Sequence, residues 1–260
     1  MLSFYGDFLK IQVLCATMFG KVPLFFHKGK FFENMVVINQ CDSENHENGG
    51  FFNFYEKGLS RSRNRGIELS NADICLISDN DVYFNDNTIN IIKESFLRYP
   101  EADILTFKVE TPDGQPYKEY KNNFFWHTKL TLAKVSSVEI AFRRKNIIKN
   151  NIKFDENFGL GSTFPTSEEY IFLSDALDRG LKIGFIPEVI VYHPKESSGG
   201  NFTNLDLVSA KGAMISRIFD KKGLFICLLF AFRKYRYSRM NFFKFASIMI
   251  SGFLKHQKQI

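Results

Sequence analysis

Residues 75–83 read CLISDNDVY, an apolar run that ends in two aspartates separated by one residue. The apolar part predicts a strand over residues 72–78 that is buried on both faces. Side chains two positions apart on an extended segment point to the same side, so Asp79 and Asp81 would repel each other. A divalent cation removes that repulsion, and carboxylate oxygens suit Mg²⁺ or Mn²⁺. The competing interpretation is a polar turn, because Asp and Asn are common turn residues.

The composition indicates a folded protein with a large core. Of its 260 residues, 45% are hydrophobic and 16% are aromatic, which excludes an intrinsically disordered chain. No apolar stretch reaches the roughly 18 residues of a membrane-spanning helix, and the first residues lack the pattern of a secretory signal. Without a C-x-x-C pair, the cysteines are expected to be reduced thiols of a cytosolic protein, not a zinc site; they are Cys15, Cys41, Cys75 and Cys227.

Apolar runs and amphipathic stretches alternate along the first 195 residues, which predicts an α/β fold. In an open α/β sheet, ligands bind at the carboxyl ends of the strands, and Asp79 and Asp81 would lie at such an end. The predicted strands cover residues 11–16, 35–39, 72–78, 102–109, 138–142, 182–185 and 189–192, and the predicted helices cover residues 59–69, 88–98 and 167–178.

Charge is distributed unevenly along the chain. Residues 211–260 carry eleven Lys or Arg and one acid, a formal charge of +10, whereas residues 1–210 carry −4. This basic segment also contains two apolar runs, at residues 224–232 and 242–254. Such a combination predicts helices that lie on an anionic membrane surface, with packing against the rest of the protein as the alternative.

Two longer stretches carry a family resemblance. Residues 58–84 read GLSRSRNRGIELSNADICLISDNDVYF, and residues 154–194 read FDENFGLGSTFPTSEEYIFLSDALDRGLKIGFIPEVIVYHP. Together they resemble glycosyltransferase family 2, whose members transfer sugars from nucleotide-diphosphate donors with inversion, and the order of motifs holds over about residues 11–195. The resemblance implies a GT-A type Rossmann-like mixed sheet flanked by helices, with a C-terminal amphipathic helical tail.

The same resemblance implies a domain organisation. Residues 1–205 would form the catalytic domain, with the nucleotide-sugar-binding half at about 1–100 and the acceptor-binding half at 101–205. Residues 206–260 would be the basic helical tail.

Donor and metal roles follow from the resemblance position by position. Asp81 is expected to bind Mn²⁺ or Mg²⁺, with His193 completing the metal shell; a strand-end histidine bonded to backbone is the alternative. The loop after the second strand reads NQCDSEN where the family has D-D-G-S-x-D. Either Asp42 replaces the uridine-binding carboxylate, or Asn39 and Gln40 contact the base. The full expected nucleotide-sugar set is Thr17, Asn39, Gln40, Asp42, Arg63, Asn64, Asp79 and Asn80.

The resemblance also assigns the acceptor side. Glu169 aligns with the family's general base, and Glu168 is expected either to be that base instead or to hold the acceptor; acids at a helix start are also favoured by the helix dipole. Gly159 and Gly161 would let the backbone approach the acceptor sugar. Trp126 is expected either to stack on that sugar or to pack in the core.

These roles imply an inverting transferase that moves a hexose from a nucleotide-diphosphate sugar, expected to be a UDP-sugar, to a hydroxyl of a glycan acceptor. The expected acceptor is a lipid-linked oligosaccharide in O-antigen or capsule synthesis, at the inner face of the cytoplasmic membrane, with no nucleic-acid partner. One alternative is a haloacid-dehalogenase-type Mg²⁺-dependent phosphatase, in which Asp79 would be the nucleophile. Another is a non-enzymatic protein whose basic tail binds membrane or nucleic acid.

Overall fold

The computed structural model describes residues 9–21, 23–24, 35–41, 51–194 and 201–259. Contacts within the chain divide it into two compact units. The first unit contains the described residues of Met1–Lys57, Arg61–Lys153 and Ala176–Lys195, and the second contains Gly58–Ser60, Phe154–Asp175 and the described residues of Glu196–Ile260. The compact units do not have the same boundaries as the expected catalytic domain (residues 1–205) and tail (residues 206–260). Those two are functional divisions, and they stay predictions.

The first unit is built on a mixed sheet with nine strands among the described residues. The strands are β1 (Ile11–Met18), β2 (Met35–Gln40), β3 (Phe51–Phe54), β4 (Ile74–Asp79), β5 (Tyr83–Phe84), β6 (Ile104–Glu110), β7 (Phe125–Trp126), β8 (Ile140–Arg143) and β9 (Ile183–Tyr192). Their order is β3-β2-β1-β4-β8-β6-β9-β5, and β7 also pairs with β9. Because β5, β7 and β8 alone run antiparallel to their neighbours, the other six strands have their carboxyl ends at one edge.

Helices connect these strands, and α2 and α4 contact strands β9 and β8 of the sheet. They are α1 (Leu59–Leu69), α2 (Thr88–Arg98), α3 (Lys129–Leu132), α4 (Arg144–Lys149) and α5 (Glu168–Asp178), of which α1 and α5 each have residues in both units. In α2 the apolar face places Ile92 and Phe96 in the core cluster of the sheet. Gly66 lies against β1, since a Cβ there would be 3.3 Å from Leu14 Cβ.

Strand β4 is the buried centre that the sequence predicts. It lies between β1 and β8, and its residues from Ile74 to Ser78 have no exposed surface. A charged side chain is costly to bury, so a strand covered on both faces is expected to be apolar until it reaches the edge of the sheet. The charged residues therefore begin at Asp79, where the strand ends.

The prediction of two short final strands, at residues 182–185 and 189–192, is wrong. The structure has one continuous strand, β9, whose pairing with β6 shifts register between Thr106 and Lys108. Pro187 lies within β9 and has no N–H to donate, so the irregularity in the ladder falls where the proline interrupts it. The strand continues beyond the proline and delivers His193 to the carboxyl edge.

The second unit consists mainly of three helices, α6 (Leu205–Phe219), α7 (Gly223–Lys234) and α8 (Phe242–Gln257). Asn204 caps α6 by accepting from the N–H groups of Asp206 and Leu207. Asn241 caps α8 in the same way through the N–H of Lys244. The predicted C-terminal amphipathic helices are confirmed, and no helix among the described residues is long and apolar enough to cross a membrane.

Helices α6 and α8 approach each other at two glycines. A Cβ on Gly212 would lie 1.9 Å from the carbonyl oxygen of Met249, and a Cβ on Gly252 would lie 1.9 Å from that of Ser209. Real Cβ atoms never come so close to backbone, so the side chain of glycine alone allows this crossing. The backbones of the two helices are therefore in direct contact.

Substituting Gly252 by Ala tests this contact. Alanine normally stabilises a helix interior relative to glycine, but here its methyl group would force the two backbones apart. We expect the free energy of unfolding to fall by about 1–3 kcal/mol, as for other overpacked sites. Denaturant unfolding followed by circular dichroism measures the change. The matched control is Ser251→Ala at the exposed neighbouring position, and equal stability of the two variants would contradict the close crossing.

Candidate active site

Polar residues gather at the carboxyl edge of the sheet in the first unit. The pairing registers place Thr17 opposite Asn39 and Ala16 opposite Asp79, so the ends of β1, β2 and β4 lie side by side. This confirms that these strand ends share one edge, which is where open α/β sheets bind ligands.

Asp79 is held by groups from two other elements. Its Oδ1 lies 3.1 Å from Arg63 Nη2, and its Oδ2 accepts from Ser137 Oγ at 3.3 Å. Arg63 is 2% exposed, so the carboxylate compensates a guanidinium that has left water. The ion pair ties α1 to the end of β4, while direct contact of Arg63 with a diphosphate stays a prediction.

Ser137 belongs to a 3₁₀ turn, Ser137–Glu139, that is anchored by a buried carboxylate. Glu139 accepts from Tyr120 Oη at 3.0 Å and forms an ion pair with Lys118. Burial raises the pKa of Glu139, and the charge of Lys118 opposes that rise. The loop after β6 and the turn beside Asp79 are thereby fixed to one another.

Asn80 fastens the segment that follows β1. Its Nδ2 donates to Thr17 Oγ1 at 3.0 Å, and its carbonyl accepts from the N–H of Leu24 at 2.9 Å. Thr17 Oγ1 in turn donates to the carbonyl of Lys21. Two of the predicted donor-binding residues, Thr17 and Asn80, thus contact each other directly.

One of the predicted base-contacting residues, Asn39, is part of a chain of hydrogen-bonded amides. Asn39 Oδ1 accepts from the N–H of Gly20 at 2.9 Å, which fixes the orientation of its amide, because a backbone N–H can only donate. Asn39 Nδ2 then donates to Asn53 Oδ1 at 2.7 Å, and Asn53 Nδ2 is a buried donor without a partner. The sequence analysis did not predict Asn53. It becomes a candidate only through the parallel pairing of β2 and β3, which places it opposite Asn39. Gln40 is buried at the end of β2, and Asp42 lies outside the described residues.

Asp81 and His193 meet at the same edge. Asp81 Oδ1 is 3.6 Å from His193 Nε2, which is too long for a hydrogen bond. The other ring nitrogen, Nδ1, contacts the carbonyl of Pro194 and therefore carries a proton. With Nδ1 as the donor, Nε2 is the ring nitrogen left to act as a ligand, and it faces a carboxylate oxygen of Asp81.

Two facing acceptors of this kind fit a divalent cation. Metal-bound histidines commonly donate their other N–H to a backbone carbonyl, as His193 does to Pro194. Within the described residues no group of three or more His, Cys, Asp or Glu side chains could hold a metal. Asp81 and His193 would therefore supply two ligands, and the remaining positions would belong to substrate and water.

The second unit holds the acidic pair at the start of α5. Glu168 is buried, and a Cβ on Gly159 would lie 3.2 Å from its Cδ, so the glycine loop packs directly on this side chain. Glu169 is more exposed than Glu168. Gly159 and Gly161 have φ of 98° and 82°, a region that favours glycine, as the backbone of a tight loop requires.

A lysine that the sequence did not single out lies beside this pair. Lys211 of α6 donates from Nζ to Ser167 Oγ at 3.0 Å and lies 3.4 Å from Thr166 Oγ1. Burial lowers the pKa of Lys211, while the charges of Glu169 and Glu168 raise it. The only sequence signal was the general excess of basic residues after position 210.

Trp126 is not brought to the carboxyl edge. It pairs with Gly184 at the amino end of β9, and the amino ends of β4, β6 and β9 lie at the opposite edge of the sheet. There it packs edge-to-face on Phe124 with ring centroids 5.0 Å apart and is 39% exposed. We therefore leave Trp126 out of the functional proposal.

Comparison with solved structures identifies the fold. The chain superposes on S. aureus TarS 1–349 in complex with UDP with a TM-score of 0.60 and 16% identity, covering 90% of this chain and 74% of that one. The complex of the same fragment with UDP-GlcNAc gives a TM-score of 0.58 at 17% identity, covering 90% of this chain and 74% of that one. A longer S. aureus TarS structure gives a TM-score of 0.58 at 16% identity; the match covers 89% of this chain but only 44% of the longer structure.

These likenesses confirm the predicted GT-A type Rossmann-like mixed sheet flanked by helices. At such low identity they concern the fold alone. No protein-family model and no curated protein sequence matches the chain.

Proposed function

We propose that the protein is a metal-dependent inverting glycosyltransferase that moves a hexose from a UDP-sugar to a hydroxyl of a glycan acceptor. The observation that carries the proposal is the 3.6 Å approach of Asp81 and His193 at the carboxyl edge of the sheet, the edge that also holds the amide pair of Asn39 and Asn53. The likeness to TarS, which has been crystallised with UDP and UDP-GlcNAc, supports the choice of donor.

The donor would bind along the carboxyl edge of the sheet. Asn39 and Asn53 lie near the ends of β2 and β3, and their amides would donate to a carbonyl of the uracil ring. Asp79 would contact the ribose, its position fixed by Arg63 and Ser137. Asp81 and His193 would hold Mn²⁺ or Mg²⁺, and when bound this ion would stabilise the negative charge of the leaving diphosphate.

Glu169 would accept the proton of the acceptor hydroxyl as that oxygen attacks the anomeric carbon. The bond between the anomeric carbon and the diphosphate oxygen breaks as the new glycosidic bond forms, so a single displacement inverts the configuration. Its greater exposure favours Glu169 over Glu168, whose side chain lies under Gly159. Glu168 and the glycine loop would position the acceptor.

The phosphatase alternative is less well supported. It requires Asp79 to act as a nucleophile, but both of its oxygens are engaged, one by Arg63 and one by Ser137. A carboxylate paired with a guanidinium is a weaker nucleophile than a free one. Failure of the protein to hydrolyse an aryl phosphate, with hydrolysis of UDP-sugars in the same buffer, would separate the two.

The acceptor is proposed to be lipid-linked, as in O-antigen or capsule synthesis, because α7 carries an exposed apolar stripe. Basic residues flank the stripe, with Lys221 and Lys222 before it and Arg233 and Lys234 after it. Apolar side chains that enter the headgroup boundary beside cations are typical of peripheral attachment to anionic lipid. The stripe consists of Leu224, Phe225, Leu228, Leu229 and Phe232, each at least 40% exposed.

Asp81→Asn and His193→Asn test the metal site. Each variant should lose Mn²⁺-stimulated hydrolysis of UDP-sugar by about 10²-fold or more, since a bound metal contributes several kcal/mol to such a step. Calorimetry with UDP should show that Mn²⁺ no longer strengthens binding. Asp86→Asn, an exposed aspartate of the same unit, is the matched control. Unchanged Mn²⁺ dependence in both site variants would remove the metal assignment.

Glu169→Gln tests the base, because it keeps the shape of the side chain and removes its basicity. We expect sugar transfer to fall by about 10²–10⁴-fold, with UDP affinity little changed. Glu168→Gln is the paired variant and should have the smaller effect on kcat. A large loss in Glu168→Gln alone would move the base to that residue.

The combined variant Phe225→Ser and Phe232→Ser tests membrane attachment. The intact protein should float with anionic liposomes at low salt and less at high salt, and the variant should stay at the bottom of the gradient. Leu130→Ser, which changes an 83% exposed leucine of the first unit, is the control. Equal flotation of variant and wild type would exclude this stripe as the anchor, and binding of an oligonucleotide instead would favour the non-enzymatic alternative.

A further inference from the structure

His256, near the end of α8, is buried against the glycine loop at residues 158–164. Its side chain is 4% exposed, and its ring centroid lies 5.8 Å from that of Phe158 and 6.2 Å from that of Phe164. These two phenylalanines flank Gly159 and Gly161 in the sequence and are themselves buried. The C-terminal helix therefore packs on both ends of the loop, and the proposed function gives this contact no role.

The glycine loop is closed by its two phenylalanines. Phe158 and Phe164 form an isolated β-bridge, and their rings stack with centroids 4.9 Å apart. The N–H of Gly159 donates to the carbonyl of Phe164 at 2.9 Å, and the N–H of Phe164 donates to the carbonyl of Asn157 at 2.9 Å. Leu160, at the tip of the loop, is 54% exposed. A buried base of two rings thus supports an exposed tip.

The start of α1 and the C-terminal helix hold the loop by different means. Ser60 Oγ donates to the carbonyl of Phe158 at 2.6 Å, and the N–H of Leu59 donates to the carbonyl of Leu160 at 2.9 Å. These bonds fix the backbone of the loop. The contact with His256 fixes the side chains at its base.

Hydrogen bonding to α6 holds the ring of His256 itself. Its Nδ1 lies 3.0 Å from Ser216 Oγ, and Gln257 Nε2 donates to the same hydroxyl at 2.9 Å. Burial lowers the pKa of His256, so the ring is neutral at pH 7 and packs on aromatic neighbours without burying a charge. The loop is thereby linked through one imidazole to both α8 and α6.

We propose that His256 is a positioning residue for acceptor binding: by packing on Phe158 and Phe164 it holds the tip of the glycine loop where the acceptor sugar binds. The inference rests on the proposed function, because this packing matters for sugar transfer only if the loop contacts the acceptor. It makes α8 part of the acceptor site, a role that is independent of the membrane attachment proposed for α7.

Substitution of His256 should affect the acceptor and not the donor. His256→Ala removes the ring, so the loop can shift, and we expect the KM for the acceptor to rise by about tenfold or more. UDP affinity and hydrolysis of UDP-sugar should stay within about twofold of the wild-type values, because the proposed donor and metal residues lie in the first unit. His256→Phe keeps a ring beside the two phenylalanines and should restore most of the acceptor KM.

The experiment uses the full-length protein, with UDP-GlcNAc as the donor probe and a panel of p-nitrophenyl hexosides as the acceptor probes. Phe245→Leu is the matched control, because Phe245 is a fully buried residue of the same helix that packs on Phe202 with ring centroids 6.2 Å apart. It should lower the free energy of unfolding without raising the KM for the acceptor. Circular dichroism confirms folding of each variant.

Hydrogen exchange follows the loop without any substrate. The amides of Gly159 and Phe164 are bonded at the base of the loop, so their exchange shows whether that base is intact. Exchange should be faster by about tenfold or more in His256→Ala, since local opening becomes easier. It should stay near the wild-type rate in His256→Phe and in Phe245→Leu.

An unchanged KM for the acceptor in folded His256→Ala would overturn the proposal. An equal rise in Phe245→Leu would overturn it too, because the effect would then come from lost stability alone. If the wild type neither hydrolyses UDP-GlcNAc nor transfers its sugar, the proposed function itself fails. Where no probe accepts the sugar, hydrogen exchange decides the inference, and unchanged exchange at Gly159 and Phe164 in His256→Ala would show that His256 does not hold the loop.

Discussion

The ion pair between Arg63 and Asp79 is the interaction on which the arrangement of the first unit's site depends. Arg63 of α1 is 2% exposed, so its guanidinium needs a compensating charge, and Asp79 provides it where the buried strand β4 ends. Ser137, from the turn before β8, donates a hydrogen bond to the other oxygen of the same carboxylate. A single carboxylate thereby fixes a helix, a strand and a turn relative to one another. Asp81, two residues further on, is left 56% exposed and can face His193 across a short gap.

Much of this edge could be predicted from the sequence because it depends on local pattern. The apolar run before Asp79 predicted a covered strand, and the helices predicted at residues 59–69 and 88–98 have those bounds in the structure. The last strand was divided wrongly because Pro187 usually ends a strand, and here it interrupts one ladder without ending it. Local pattern contains no information about which strands lie side by side.

The residues that sequence reasoning missed are those whose partners lie far along the chain. Lys211 and Ser167 are 44 positions apart, and Ser137 and Asp79 are 58 apart. Asn53 is defined as a candidate only by its register with Asn39, which depends on the pairing of an edge strand. Trp126 was expected either to contact a sugar or to pack in the core, and its strand places it away from the carboxyl edge, packed on Phe124. Residue type indicates what a group can do, and topology decides whether it is present at the site.

The glycine crossing of α6 and α8 limits how this protein can be recombined with others. At Gly212 and Gly252 the two backbones are in direct contact, so no side chain at these positions could adjust its rotamer to a new neighbour. Lys211 is adjacent to Gly212, and its Nζ contacts Ser167 Oγ just before the acidic pair. A chimera joined near residue 205 would need both helices from the same parent. The C-terminal helices would therefore have to be transferred together with the segment that carries Glu168 and Glu169. They could not be exchanged separately as a membrane anchor.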